Sequence, residues 1–165
     1  MFLIHKRVLL LALLTTFSMS VLALDSDKSK PMHITSDNSS YNYKTGVRTF
    51  TGRVKVIQGT THLTADKLVT KDDDTHKIRK AIAYGFNHEA HYWTLPKVSE
   101  ALLHARALVI ELYPGDSTII LKNKALIQQG KNSFKGEEIH YNRENQTITV
   151  PAKKNGRAVL VYNPD

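Results

Sequence analysis

From Met32 onward the chain alternates apolar and polar residues in short runs, broken about every ten residues by turn-forming clusters. The clusters are Lys44-Thr45-Gly46, Gln58-Gly59, Lys71-Asp72-Asp73-Asp74, Tyr113-Pro114-Gly115-Asp116, Gln129-Gly130-Lys131, Arg143-Glu144-Asn145 and Asn155-Gly156. Between them, Phe50–Ile57, Thr118–Leu121, Thr147–Val150 and Ala158–Tyr162 carry β-branched or aromatic residues in strand-like order. Many short strands at this spacing predict an all-β chain. One segment competes: Ser99–Leu112 is rich in strong helix formers.

An internal repeat decides between the two readings. Shifted by 71 positions, Phe50–Thr70 aligns without a gap on Leu121–Tyr141, with Gln58-Gly59 meeting Gln129-Gly130. A looser unit recurs four times: an apolar residue, a small one two places on, then apolar or mid-sized residues three and five places later. The four copies are Ile34/Ser36/Ser39/Tyr41, Leu63/Ala65/Leu68/Thr70, Leu103/Ala105/Leu108/Ile110 and Phe134/Gly136/Ile139/Tyr141. Ser99–Leu112 contains one of them and is therefore read as strand. In a strand the step of two keeps a side chain on one face and the step of three changes it. Each copy thus predicts a bend or bulge beside a small residue, where one strand passes from one sheet to another. The expected product is two twisted antiparallel sheets packed face to face.

Residues 1–23 have a basic start (His5, Lys6, Arg7), an apolar stretch (Val8–Leu14) and a small-residue exit with Val21 and Ala23, the layout of a secretory signal peptide. Thr15, Thr16, Ser18 and Ser20 interrupt the apolar run before the roughly 20 residues a membrane span needs. Residues 24–30 read as a flexible lead-in and 31–165 as a single domain. A chain of that size buries roughly 70% of its unfolded surface without staples, which suits an exported protein with no cysteine. The net charge of +8, lowered by two on loss of the leader, suits phosphate-bearing partners.

No catalytic pattern stands out, and binding rather than chemistry is expected. His88-Glu89-Ala90-His91 places its histidines three apart rather than the four a helical zinc motif requires. Asp72-Asp73-Asp74 lacks the spacing of a calcium loop. No metal or other cofactor is expected. Basic residues (Arg53, Lys55, Lys67, Lys77, Arg79, Lys80, Lys122, Lys124) are scattered and not interleaved with aromatics, which argues against nucleic acid and for a solvated outer face.

Several segments resemble the OstA-like family of periplasmic lipopolysaccharide-transport proteins. They are Pro31–Asp37, Phe50–Thr60, Ala65–Leu68, Tyr84-Gly85 followed by Tyr92-Trp93, His104-Ala105 leading into Glu111-Leu112, and Lys135–Tyr141. In order, they cover roughly residues 31–162. The acidic, glycine-free loop at Lys71–Lys77 departs from the pattern, as does the short tail ending at Asp165. The resemblance implies a twisted antiparallel β-jellyroll of two facing sheets, open along one side, which carries lipopolysaccharide between membranes. It further implies joining head to tail with copies of itself, with an LptC-like inner-membrane partner and with an LptD-like outer-membrane partner.

Physical chemistry is consistent with such a cargo. Each exposed CH₂ costs about 0.8 kcal/mol, so an acyl chain of about a dozen carbons costs on the order of 10 kcal/mol in water. The candidate lipid-facing residues are the periodic apolar ones: Ile34, Val54, Val56, Leu63, Tyr92, Leu108, Ile110, Leu112, Ile119, Leu121, Phe134, Ile139 and Tyr141. Their bland alternative is ordinary core. Uncharged runs at the two ends, Met32-His33-Ile34 and Ala158-Val159-Leu160-Val161-Tyr162, are the candidate partner edges, because an unprotected edge strand accepts a neighbour's strand. Two other classes stay open: an exported edge-to-edge scaffold without lipid cargo, and a carbohydrate-active jellyroll enzyme.

Overall fold

A computed structural model describes residues 27–152 and 156–164. The expected signal peptide, lead-in residues 24–26, Asn155 and Asp165 lie outside the described residues. The described residues form strands β1 (His33–Thr35), β2 (Asn38–Asn42), β3 (Val47–Gln58), β4 (Thr61–Asp72), β5 (Ile78–Tyr84) and β6 (Ala90–Thr94). These are followed by β7 (Leu103–Ala107), β8 (Val109–Tyr113), β9 (Thr118–Gln129), β10 (Asn132–Asn142), β11 (Thr147–Thr149) and β12 (Val159–Val161). Every pairing is antiparallel. The helix-prone stretch is extended from Leu103 on, as β7 and β8, while residues 99–102 belong to the preceding turn.

Four long strands bend and serve two layers. The first halves of β3 and β9 and the second halves of β4 and β10 form sheet I, in the order β2-β3-β4-β5-β8-β9-β10-β11. Their other halves form sheet II, in the order β1-β3-β4-β6-β7-β9-β10-β12. The result is all-β and jellyroll-like. The expected opening along one side is absent from the pairing, which instead runs β4-β5-β8-β9-β7-β6 and back to β4. That six-stranded ring closes because bent β4 and β9 each hydrogen-bond in both layers.

Three of the four bends fall beside the small residue where the repeat put them: between β1 and β2 at Ser36, in β4 between Ala65 and Lys67, and in β10 between Gly136 and Glu138. β3 loses register between Thr51 and Val54 at Gly52 and Arg53, with φ of 77° and 46°. The 71-residue shift carries these onto Asn123 and Lys124 of β9, with φ of 63° and 57°. Left-handed backbone costs a non-glycine residue about 1–2 kcal/mol, so the bend needs fastening. Asp37 N–H donates to the Gly52 carbonyl at 2.9 Å, and Arg53 Nη2 pairs with Asp37 Oδ1 at 2.6 Å. The hairpins match as well. Gly59 and Gly130 open the two-residue turns after β3 and β9, both at φ 57°, as a glycine-first hairpin turn requires.

One copy of the repeat needs a new frame. Ile34, Leu63 and Phe134 share their inner row with Ala105, not with Leu103. The third copy is therefore Ala105/Ala107/Ile110/Leu112, two positions later than its apolar pattern suggested. Leu103, Ala105 and Ala107 all alternate inward and are all buried, so periodicity alone could not locate the bend among them.

Lys80 and Lys122 of sheet I lie on its outer face around one carboxylate. Glu111, nearly buried on that face, accepts hydrogen bonds from Lys122 Nζ at 2.7 Å and Tyr113 Oη at 2.6 Å, with Lys80 Nζ at 3.0 Å. Burial alone would raise its pKa, but the bonds from Lys122, Tyr113 and Lys80 outweigh it and bring the carboxyl to about 2. A carboxyl whose folded pKa lies below its unfolded value of 4.5 stabilises the fold above that value and stops doing so as pH falls toward the folded pKa. Urea unfolding is therefore expected to show about 2–3 kcal/mol of acid-labile stability from Glu111 between pH 5 and 2. Glu111→Gln should flatten that part of the pH profile.

Candidate binding interior and terminal edges

Strand register places the periodic residues in rows on the faces that pack together. In sheet II one row runs from edge to edge as Ile34, Val56, Leu63, Tyr92, Ala105, Ile127, Phe134 and Leu160. In sheet I, Phe50, Leu68, Ala83, Ile110, Leu121 and Ile139 form a matching row. The next row out holds Tyr41, Arg48, Thr70, Ala81, Leu112, Ile119, Tyr141 and Ile148. Near the bends the inner residues are small (Ala65, Ala90, Ala107, Ala125, Gly136) because the layers converge there. A Cβ on Gly136 would lie 2.7 Å from the Val150 side chain.

The interior is packed in its middle and looser at its ends. Val54, Val56, Leu63, Tyr92, Ile110, Ile119, Leu121, Ile139 and Tyr141, all expected to face lipid, are buried in one cluster. Ile34, Leu112 and Phe134 are only partly buried against it. Leu108 stands apart from that cluster, at the single-residue link between β7 and β8. Its N–H donates to the Asn123 carbonyl at 3.0 Å and its carbonyl accepts from Gly85 N–H at 2.9 Å, which ties three bends together. Leu68, Leu103 and Ile127 were not among the candidate lipid-facing residues though all are fully buried; the repeat marks Leu68 and Leu103, and alternation within β9 marks Ile127.

Polar groups also face inward, which the scattered charges did not suggest. Asp72 is buried and paired with Arg48, and the Tyr41 hydroxyl donates to it at 3.3 Å. Thr70 Oγ1, Tyr92 Oη and Arg143 Nε are buried without a hydrogen-bond partner. Where the turns of the two layers face each other, a cleft of about 520 Å³ opens. Sheet II contributes Gln58, Thr61, Thr94 and Lys97; sheet I contributes Ser117, Tyr141 and Arg143. Burial, then the neighbouring Tyr92, pushes the Tyr141 hydroxyl up to about 12, against the opposing pull of Arg143. His88 lies in the connection before β6, and His91 is on β6, stacked with His104 and tilted against Trp93.

Both candidate edges are in sheet II, at opposite ends. Among the described residues β1 pairs only with β3 and β12 only with β10. Met32 and Val159, Leu160, Val161 and Tyr162 are exposed, as are His33 and Ala158. The matching edges of sheet I are β2 and β11, which among the described residues pair only with β3 and β10 respectively.

A family model described as LptA/(LptD N-terminal domain) LPS transport protein matches residues 33–147. The chain belongs to this family. It is 29% identical over 133 residues to the lipopolysaccharide export system protein LptH of Pseudomonas aeruginosa, covering 81% of this chain and 75% of the relative. It is also 29% identical over 148 residues to the lipopolysaccharide export system protein LptA of Escherichia coli strain K12, covering 89% and 78%. The crystal structure of LptH, the LptA-homologous periplasmic component of the lipopolysaccharide transport device of Pseudomonas aeruginosa, superposes with a TM-score of 0.76. That match has 26% identity and covers 84% of this chain and 99% of the other. This LPS transport family is one of carriers rather than enzymes, in line with the absence of a catalytic pattern in the sequence.

Proposed function

We propose that this protein is a periplasmic carrier of lipopolysaccharide that holds acyl chains between its two layers and joins its neighbours edge to edge. The observation that carries the reading is the inner row of sheet II, apolar from Ile34 on β1 to Leu160 on β12, so that the interior continues to both unpaired edges. The looser positions at the ends and along the turns (Ile34, Leu112, Phe134) meet the lipid first. Its chains enter along the mouth between the two sets of turns, where the layers part. Edge pairing sets the assembly. Each layer has eight antiparallel strands, so its two edges run in opposite senses, and a C-terminal edge meets the N-terminal edge of the next copy antiparallel. An LptC-like partner uses one end of such a chain of copies and an LptD-like partner the other.

Photo-crosslinking tests the cargo. A crosslinker at Leu112 or Phe134 should capture lipopolysaccharide, and one at Lys122 on the outer face should not. Equal capture at all three positions, or none at the first two, removes the interior from the reading.

A further inference from the structure

We propose that the cleft at the mouth is a binding site for a phosphoryl group, seated on Arg143 with Lys97 and Lys28 at its rim. Cations reach this cleft from three places: Arg143 after β10, Lys97 between β6 and β7, and Lys28 ahead of β1. Two carboxylates, Asp27 and Glu144, also line the cleft, and a third, Glu100, holds one of its cations. Asp27 Oδ2 accepts from Thr60 N–H at 2.9 Å and Thr60 Oγ1 at 2.6 Å, and Glu100 pairs with Lys97 at 3.3 Å. Arg143 Nε is buried yet has no partner, and buried polar groups are almost always hydrogen-bonded. A guanidinium offers a planar fork that matches phosphoryl oxygens. Beside it, Tyr141 keeps its hydroxyl proton as a donor, and Ser117 Oγ lies 3.3 Å from Lys28 Nζ.

The cleft also states what the phosphoryl group is attached to. It is far larger than one phosphate and falls in the size range of pockets for small organic ligands. Its inner wall is Tyr141, whose row continues into apolar Ile119 and Leu112. An amphiphile with its phosphate on Arg143 can therefore lay its apolar part on the inner face. The lipid source of the phosphate rests on the transport reading above; the chemistry of the site does not.

Two probes separate source from site. Wild type, Arg143→Gln and Lys97→Gln are titrated with bis-phosphorylated lipid A and with the same lipid after removal of both phosphates. Charge-assisted hydrogen bonds of this kind correspond to a preference of at least about tenfold for the phosphorylated lipid in wild type. That preference should vanish in Arg143→Gln and weaken in Lys97→Gln, while binding of the dephosphorylated lipid is unchanged. Independently, inorganic pyrophosphate should shift the Arg143 Nε–H resonance of wild type. Binding of neither lipid defeats the transport reading and leaves the site to the pyrophosphate result. A pyrophosphate shift without lipid preference keeps the site and assigns it to free phosphate. The proposal falls if pyrophosphate leaves Nε–H unmoved and wild type binds both lipids equally, or if Arg143→Gln retains the preference.

Discussion

Replacing Leu121 by alanine is expected to lower the free energy of unfolding by about 2–5 kcal/mol. Leu121 is fully buried and pairs with Ile110 on one side and Ile139 on the other. It also lies on β9, which belongs to both layers and to the closed ring, so its neighbours cannot shift inward without disturbing both. Limited collapse keeps the cost near the upper part of the range. Against a total of about 5–15 kcal/mol for a typical domain, this one change removes a large share. Leu160→Ala is the matched control: its side chain is 59% exposed, so a change within about 0.5 kcal/mol is expected. Urea denaturation of both variants is the measurement. Similar losses from the two would mean that the middle of the protein is not packed as described.

Proline in β12 is expected to abolish edge-to-edge assembly. In an antiparallel ladder successive N–H groups point alternately to one neighbour and the other, so one of Leu160 and Val161 presents its donor outward. Proline lacks that donor. Of the two variants, the one that loses the outward donor keeps the β10–β12 pairing and blocks the next copy. The other disrupts β12 itself, which pairs with β10 over only three residues. Both should sediment as monomers at concentrations where wild type forms larger species. A wild type that stays monomeric when concentrated, and captures no LptC-like or LptD-like partner, would end the bridge reading. Variants that assemble normally would move the joint to β2 and β11.

Much of the architecture was legible because it is written twice. The match of Phe50–Thr70 to Leu121–Tyr141 reports two hairpins with the same glycine turn and the same bend, and the looser fourfold unit overrode the helix propensity of Ser99–Leu112. The exact bend in β7–β8 was not legible, since three successive inward positions there, Leu103, Ala105 and Ala107, are all apolar and buried. Nor could periodicity separate groove from core: Ile110 and Leu112 are adjacent turns of one alternation, yet only Ile110 is sealed. That difference is set by distance from the bend. The inward Asp72–Arg48 pair and Arg143 were hidden for another reason. Each lies in a turn cluster or close to one, where charge normally means solvent, and only the facing layer turns those positions into an interior.

The strand count has a consequence for geometry on a larger scale. Neighbouring strands stand about 4.8 Å apart and are rotated by roughly 20–25° on average. Eight strands per layer therefore advance the axis by about 38 Å per copy and turn it by nearly half a revolution. In a row of joined copies the mouth would be a helical seam, with the clefts of successive copies facing nearly opposite directions. Bulky sugars emerging from neighbouring copies would then be kept on different sides of the filament, and cargo moving along it would corkscrew instead of sliding along a straight slot.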